Sequence, residues 1–218
     1  MKRLTLFAGH YGSGKTNIAV NYAAFMKKQG YDVIIADLDI VNPYFRTKDS
    51  EEQLRELGIE LISSKFANSN LDIPSLPQEM YRTVQDKSKY AVMDIGGDDA
   101  GAIALGRFAP FINEEDNYDM VFVVNFFRPL SRTAEEAYEI MKEVEAASKL
   151  KFTSIINNSN LGELTTAEDV LSTVPLAEKL SSISGLPIKM TSVMESLSQE
   201  LNDKTKNLFC LALQNKIF

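Results

Sequence analysis

Apolar residues in this chain fall in short unbroken runs, separated by longer stretches that are apolar on one side only. Leu4-Thr5-Leu6-Phe7-Ala8, Asp32 to Asp37, Tyr90 to Asp94 and Asp119 to Val124 are of strand length and do not alternate, which predicts strands buried on both faces. Ile59 to Ile62, Phe152 to Ile156 and Pro187 to Val193 add three more. Between them, Asn17 to Lys28 carries Ile18, Tyr22 and Met26 at four-residue spacing with Ala19 and Ala23 beside them, which predicts a buried helix face and a stop at Gly30. Thr133 and Glu136 form a capping box for a helix to Lys149, whose apolar side is Ala137, Ile140, Met141 and Val144.

Other segments are read with less regular signals. A short helix is expected over Asp49 to Gly58, capped by Asp49 or Ser50, and another over Pro77 to Lys87 with proline in its first turn. Thr165 to Ser184 is helical on both sides of Pro175, which should kink or split it. The last helix is expected from Ser196 to about Lys216. Ile40 to Arg46, broken by Pro43, and the polar stretch Lys65 to Pro77 read as loops. Strand and helix alternate throughout, so the expected fold is α/β, a three-layer α/β/α arrangement around a mainly parallel sheet. One domain is expected over residues 1–218, with no repeat and no linker.

The first strand and helix flank Gly9-His10-Tyr11-Gly12-Ser13-Gly14-Lys15-Thr16, which fits G-x-x-x-x-G-K-[ST], the phosphate-binding loop of P-loop nucleotidases. Gly9, Gly12 and Gly14 let the backbone turn tightly, so that its N–H groups, including that of Ser13, approach phosphate oxygens. The helix starting at about Lys15 aims its positive end there, with Asn17 in its first turn. Lys15 is expected on the terminal phosphates and the Thr16 hydroxyl on Mg²⁺.

Ligands of open α/β sheets gather at the carboxyl ends of strands, which brings three further stretches to this loop. Asp37 and Asp39 end the second strand, with the capping of a turn as their plainer role. Asp94-Ile95-Gly96-Gly97-Asp98-Asp99 follows the fourth; Asp94 is expected to hold the metal through water, and Asp98 or Asp99 to orient or deprotonate an attacking water, unless they are simply a solvated turn. Gly96-Gly97 gives a loop able to respond to a γ-phosphate. Asn157-Asn158-Ser159-Asn160 ends the sixth strand.

Composition narrows the class. Hydrophobic residues are 44% and charged residues 24% of 218, as in ordinary globular proteins. A net charge of −7 argues against nucleic acid as a partner. One cysteine, Cys210, and one histidine, His10, leave no disulfide within the chain and no Cys-rich metal site. No apolar run reaches membrane-spanning length, and the segment after Met1-Lys2-Arg3 turns polar too soon for a signal peptide, so a cytoplasmic location is expected.

Taken in order, Gly9 to Thr16, Asp37-Leu38-Asp39-Ile40, Asp94-Ile95-Gly96-Gly97-Asp98 and Ile156-Asn157-Asn158-Ser159 resemble the phosphate loop, switch I, switch II and base-reading strand end of the MinD/ParA/nitrogenase-iron-protein-like P-loop ATPases. The resemblance implies ATP and Mg²⁺ as ligands. It assigns Lys15, Asp39 and Asp98 to catalysis and Thr16, Asp39 and Asp94 to the metal. The adenine contact falls to Asn158, or to its neighbour Asn157. Absence of an N-K-x-D pattern after either Asn also favours ATP over GTP.

The sequence departs from that family in two places. Where the family has G-K-G-G-x-G-K-[ST], with a first lysine that reaches a partner subunit's nucleotide, this chain has His10 and Tyr11. That leaves a homodimer open, with His10, Arg46 or Arg107 as substitute cations. Gly101 stands near where the iron protein has a cluster cysteine, so no iron–sulfur cluster is expected.

The expected function is a slow Mg-dependent ATPase acting as a switch for a partner protein or cargo. The alternatives are a small-molecule kinase with Arg107, Arg128 and Arg132 as a phosphate clamp, or a binding module with little turnover. Some relatives in that family end in an amphipathic membrane anchor. Here Lys204, Lys206 and Lys216 are offset by Glu195, Glu200 and Asp203, so the apolar tail is read as a helix docked on the sheet, not on a membrane.

Overall fold

A computed structural model describes residues 1–39, 50–63 and 78–211. Its strands are β1 (Leu4–Ala8), β2 (Val33–Leu38), β3 (Glu60–Ser63), β4 (Tyr90–Ile95), β5 (Tyr118–Val124), β6 (Ser154–Asn157), β7 (Ile188–Met194) and β8 (Leu208–Leu211). They form one parallel sheet in the order β3-β2-β4-β1-β5-β6-β7-β8, so β1 lies between β4 and β5 in the interior. The fold is the expected α/β arrangement of P-loop nucleotidases. Expectations that fall on Ile40 to Asp49, on Lys65 to Pro77 and on Leu213 to Phe218 lie outside the described residues.

The sheet is covered on both faces, which is why its central strands carry no polar alternation. On one side Leu4, Leu6, Ala8, Ile34, Met93 and Phe122 pack with Leu105, Phe108, Met141 and Leu180 from the helices α4 (Asp99–Gly106), α6 (Ala134–Ser148) and α7 (Ala167–Ser184) and the turn after α4. On the other, Phe7, Ile35, Val92, Val121 and Val123 pack with Ile18, Tyr22 and Met26 of α1 (Lys15–Lys28). The short helices α2 (Glu51–Glu56), α3 (Arg82–Gln85, continuing a 3-10 turn over Gln78–Tyr81) and α5 (Ala109–Glu115) complete the cover.

The α6 capping box forms as expected, with Glu136 N on Thr133 Oγ1 at 3.2 Å and Thr133 N on Glu136 Oε2 at 3.1 Å. The structure differs from the sequence reading at three points. Pro175 does not split α7, which runs from Ala167 to Ser184 with the proline on its exposed side, where water can satisfy the carbonyl that the ring frees. Asp99 to Glu115, which gave no sequence signal, forms α4 and α5. The expected last helix is instead a short α8 (Ser198–Leu201) followed by β8. Leu208 to Leu211 pairs with Thr191 to Met194, and Phe209 packs on Tyr22 and Phe25 at centroid distances of 6.3 and 6.0 Å. Burial against α1 and a free β7 edge outweigh the helical reading of a leucine-rich run.

Among the described residues no helix is long and apolar enough to cross a membrane.

Candidate nucleotide site

The loop between β1 and α1 leaves the carboxyl edge of the sheet and turns into the helix through Gly14, whose φ of 87° lies in the left-handed region. Gly14 is the N-cap of α1 and provides no side-chain cap, and the first turn of the helix holds no acidic residue. The positive end of a fourteen-residue helix is therefore left without a side-chain anion of its own. Ser13, 2% exposed, has a buried hydroxyl with no hydrogen-bond partner. These are the features of a cradle suited to an anion such as a phosphate.

Lys15 and Thr16 are both buried at the start of α1. The Lys15 ammonium donates to the His10 carbonyl at 3.1 Å. Burial lowers its pKa below the ordinary lysine value, while the carboxylates of Asp94, Asp39 and Asp98 act in the opposite sense. All three carboxylates thus act on the Lys15 charge. Asp94 is fully buried and stands in register with Phe7 on β1 and Asp37 on β2. Asp39, nearly buried, follows β2, and its N–H donates to Asp37 Oδ1 at 2.9 Å. Asp37 thus shapes the turn that presents Asp39.

The Gly-Gly loop after β4 lies directly on the phosphate loop. A Cβ built on Gly97 would stand 2.7 Å from Lys15 Nζ, 2.7 Å from Tyr11 N and 2.8 Å from Tyr11 Cα, distances that no real side chain adopts. Asp98 then caps α4, its Oδ1 accepting from Gly101 N at 2.9 Å. Instead of ending a solvated turn, Asp98 thus caps a helix through one oxygen, and Asp99 is the exposed first residue of α4.

At the end of β6 the two asparagines separate. Asn158 donates from Nδ2 to the Ser13 carbonyl at 2.7 Å and accepts from Ser192 Oγ at 2.5 Å. Asn157 turns the other way, donating to Thr173 Oγ1 at 3.0 Å and accepting from Ser159 Oγ at 2.7 Å. Asn158 is therefore the one at the phosphate loop. Asn17 is half-buried in α1, where its carbonyl and side-chain oxygen accept from Asn21. Ser192 was not foreseen, since its link to Asn158 depends on β6 and β7 being neighbours.

The cations named from sequence are also distinguished. Arg128 Nε donates to the Gly12 carbonyl at 3.1 Å. His10 Nδ1 faces the Tyr11 carbonyl at 3.0 Å. Arg107 and Arg132 are exposed and, among the described residues, neither side chain bonds to the loop; Arg46 is outside them. No group of three or more metal-ligating His, Cys, Asp or Glu side chains stands together among the described residues. A divalent ion would here depend on Thr16, Asp39 and Asp94 together with water and phosphate oxygens, as is usual for Mg²⁺.

Comparison with known proteins agrees with this geometry. The family described as the CobQ/CobB/MinD/ParA nucleotide binding domain matches residues 4–188. Comparison with curated proteins gives no match. Among solved structures, FtsY from Thermotoga maritima superposes with a TM-score of 0.62 at 17% identity, over 88% of this chain and 62% of that one. The signal recognition particle 54 kDa protein from Aeropyrum pernix, in complex with GDP, gives 0.57 at 18% identity over 86% and 40%. FtsY from Elizabethkingia anophelis, also in complex with GDP, gives 0.55 at 16% over 88% and 58%. This chain thus spans between 40% and 62% of the length of these relatives, and at such identities the likeness is one of fold.

Proposed function

The chain belongs to the CobQ/CobB/MinD/ParA nucleotide-binding domain family, and from that premise we propose that it is a slow, Mg-dependent ATPase whose nucleotide state sets its interaction with a partner or cargo. The observation that carries this reading is the packing of Gly97 on Lys15 Nζ and on the Tyr11 backbone. One wall is shared by the phosphate loop and by the loop that starts α4. A ligand that rearranges Lys15 must change what Gly97 touches. Because Asp98 caps α4, and a Cβ on Gly101 would stand 2.6 Å from Gly96 Cα, that change is passed to α4 as a unit.

The residues take roles that follow from where they stand. Lys15 exchanges or shares its bond to the His10 carbonyl for phosphate oxygens, stabilising charge that builds up there. The Ser13 hydroxyl and the uncapped amides of α1 bind phosphate. Thr16, Asp39 and Asp94 hold the metal directly or through water. Mg²⁺ supplies charge neutralisation on the terminal phosphates. Asp98 keeps one oxygen on Gly101 N and offers the other to a water nucleophile. Asn158 places the base side of the site while bracing Ser13.

ATP is proposed over GTP because no Asp lies three residues after Asn157 or Asn158. Two structural relatives are in complex with GDP, so the test includes both nucleotides. A cytoplasmic location, a single domain and a possible homodimer remain part of this proposal.

Calorimetric titration of Mg-ATP and Mg-GTP, with phosphate release followed in parallel, tests it. ATP binding with slow turnover, lost in Lys15→Ala without loss of the folded state, is the expected result. Equal affinity in parent and Lys15→Ala would remove the assignment, and preferential GTP binding would remove its nucleotide choice.

A further inference from the structure

The family resemblance leaves a gap at His10, where a lysine is expected to add positive charge to bound phosphates. We propose that Arg128, reaching over from the turn after β5, is the cation this chain supplies in cis to the phosphates at its own loop. The proposal rests on the nucleotide-binding reading above and goes beyond it by naming a phosphate-contacting residue outside the motif.

Three observations support it. First, the Arg128 side chain lies on the loop itself. Nε donates to the Gly12 carbonyl at 3.1 Å, and its Nε and Cδ are 3.6 and 3.7 Å from the point where a Gly12 Cβ would stand. Gly12 has a φ of 75°, so the turn itself calls for glycine, and the guanidinium stem lies at ordinary contact distance above it.

Second, its charge is uncommitted. Arg128 forms no ion pair among the described residues, and its Nη groups bond to none of them. Arginine has five N–H donors in a rigid fork that matches two phosphate oxygens. One of those donors fixes the side chain on the loop, which leaves the Nη donors without a partner among the described residues.

Third, the turn that bears it is ordered by side-chain hydrogen bonds. Arg128 N donates to the Asn125 carbonyl at 3.1 Å, and Ser131 Oγ donates to the same carbonyl at 2.8 Å. Asn125 Oδ1 accepts from Phe127 N at 3.0 Å, and Asn125 Nδ2 donates to the Asn160 carbonyl at 3.1 Å. Since β5 is the direct neighbour of β1, this turn stands beside the loop by construction of the sheet. Among the described residues, His10 instead faces the Tyr11 carbonyl, and Arg107 is exposed at the end of α4 without a side-chain bond to the loop.

The test uses the full chain with Mg-ATP, Mg-ADP and inorganic pyrophosphate as probes, comparing parent, Arg128→Lys, Arg128→Gln, Arg128→Ala and Lys15→Ala. Binding is read by calorimetry at two salt concentrations, and folding by the melting temperature without nucleotide. A charge-assisted contact of this kind predicts a roughly ten- to hundredfold loss of ATP affinity in Arg128→Ala and Arg128→Gln. Recovery should be partial in Arg128→Lys, and the neutral variants should show a weaker salt dependence. The nucleotide-free melting temperature should stay at the parent value in all three Arg128 variants.

Parent-like affinity in Arg128→Gln would show that only the bond to Gly12 matters and would overturn the proposal. Equal melting losses and equal affinity losses for all probes would overturn it as well, in favour of a purely structural brace. If Lys15→Ala loses binding while the Arg128 variants do not, this inference alone fails. If Lys15→Ala binds as the parent does, the nucleotide reading fails with it.

Discussion

Asn158 Nδ2 and the Ser13 carbonyl are joined at 2.7 Å across 145 residues of sequence, so the end of β6 is fastened to the phosphate loop by one buried amide. The Ser13 carbonyl can only accept, so the nitrogen end of the amide faces it and the oxygen end accepts from Ser192 Oγ at 2.5 Å. Asn158→Ala should leave the Ser13 carbonyl without this partner and Ser192 Oγ with only its bond to the Asn157 carbonyl at 3.3 Å, and cost about 1–3 kcal/mol of stability. Asn158→Asp keeps the size but sets a carboxylate against the Ser13 carbonyl, and should weaken nucleotide binding more than stability. Urea unfolding and calorimetry on both variants separate these effects.

Gly97→Ala tests the shared wall. The added methyl would lie 2.7 Å from Lys15 Nζ, which can move, but also 2.7 Å from Tyr11 N, which belongs to the backbone. Either the phosphate loop or the loop after β4 must give way. The expected result is at least a tenfold fall in Mg-ATP affinity in a chain that still melts cooperatively. Unchanged affinity would mean that the two loops are independent.

The fold and the site can also be separated by a substitution at the opposite end of the sheet. Asp119, near the amino end of β5, accepts hydrogen bonds from Thr153, Ser154 and Lys189. Burial by itself would raise the Asp119 pKa, but the Lys189 charge and the hydrogen bonds from Lys189, Thr153 and Ser154 bring it below the ordinary value of 3.8. The native state therefore binds this proton less readily than the unfolded chain. The stabilisation is complete above the unfolded value and is lost as pH falls through the lower native one. Asp119→Asn should lower the urea midpoint at pH 7, with the difference from the parent narrowing below about pH 4. Nucleotide affinity at pH 7 should not change.

β8 makes a prediction of its own. Leu211 is 6% exposed and packs in the cluster on the α1 side of the sheet. Leu211→Ala should cost about 2 kcal/mol, measured by denaturant unfolding. The expectation that the chain does not bind anionic vesicles is a separate prediction. Sedimentation with such vesicles, with and without ATP, checks that directly.

What could be read from the sequence depended on how local the signal was. The unbroken apolar runs of β1, β2, β4 and β5 and the Thr133–Glu136 box of α6 specify themselves within a few residues. Over α4 and α5, Gly101, Gly106 and Pro110 suppress the helical signal. Their presence there has a tertiary cause. A Cβ on Gly106 would stand 3.1 Å from the Ala147 carbonyl of α6, and one on Gly101 would meet Gly96. The leucine-rich end was read as a helix because its partner, the edge of β7, is not visible in local periodicity.

The site divides along the same line. The phosphate loop and the acidic strand ends are contiguous patterns, and the Gly96-Gly97 loop that follows one of them lies against Lys15, with Asp39 Cα and Asp98 Oδ1 close to Gly96. The choice between Asn157 and Asn158, the support from Ser192 and the reach of Arg128 to Gly12 depend on which strands are neighbours. No spacing rule within the sequence contains that information.

Amide hydrogen exchange over residues 96–106 tests the switch most directly. It would be recorded with Mg-ADP and with Mg plus a non-hydrolysable ATP analogue, each at saturating concentration. The account predicts slower exchange with the triphosphate analogue in this segment, because its contact with Lys15 and Tyr11 is what the terminal phosphate alters. Exchange around Asp119 should not differ. Identical exchange over 96–106 in the two states, with both nucleotides bound, would contradict a nucleotide switch in this protein.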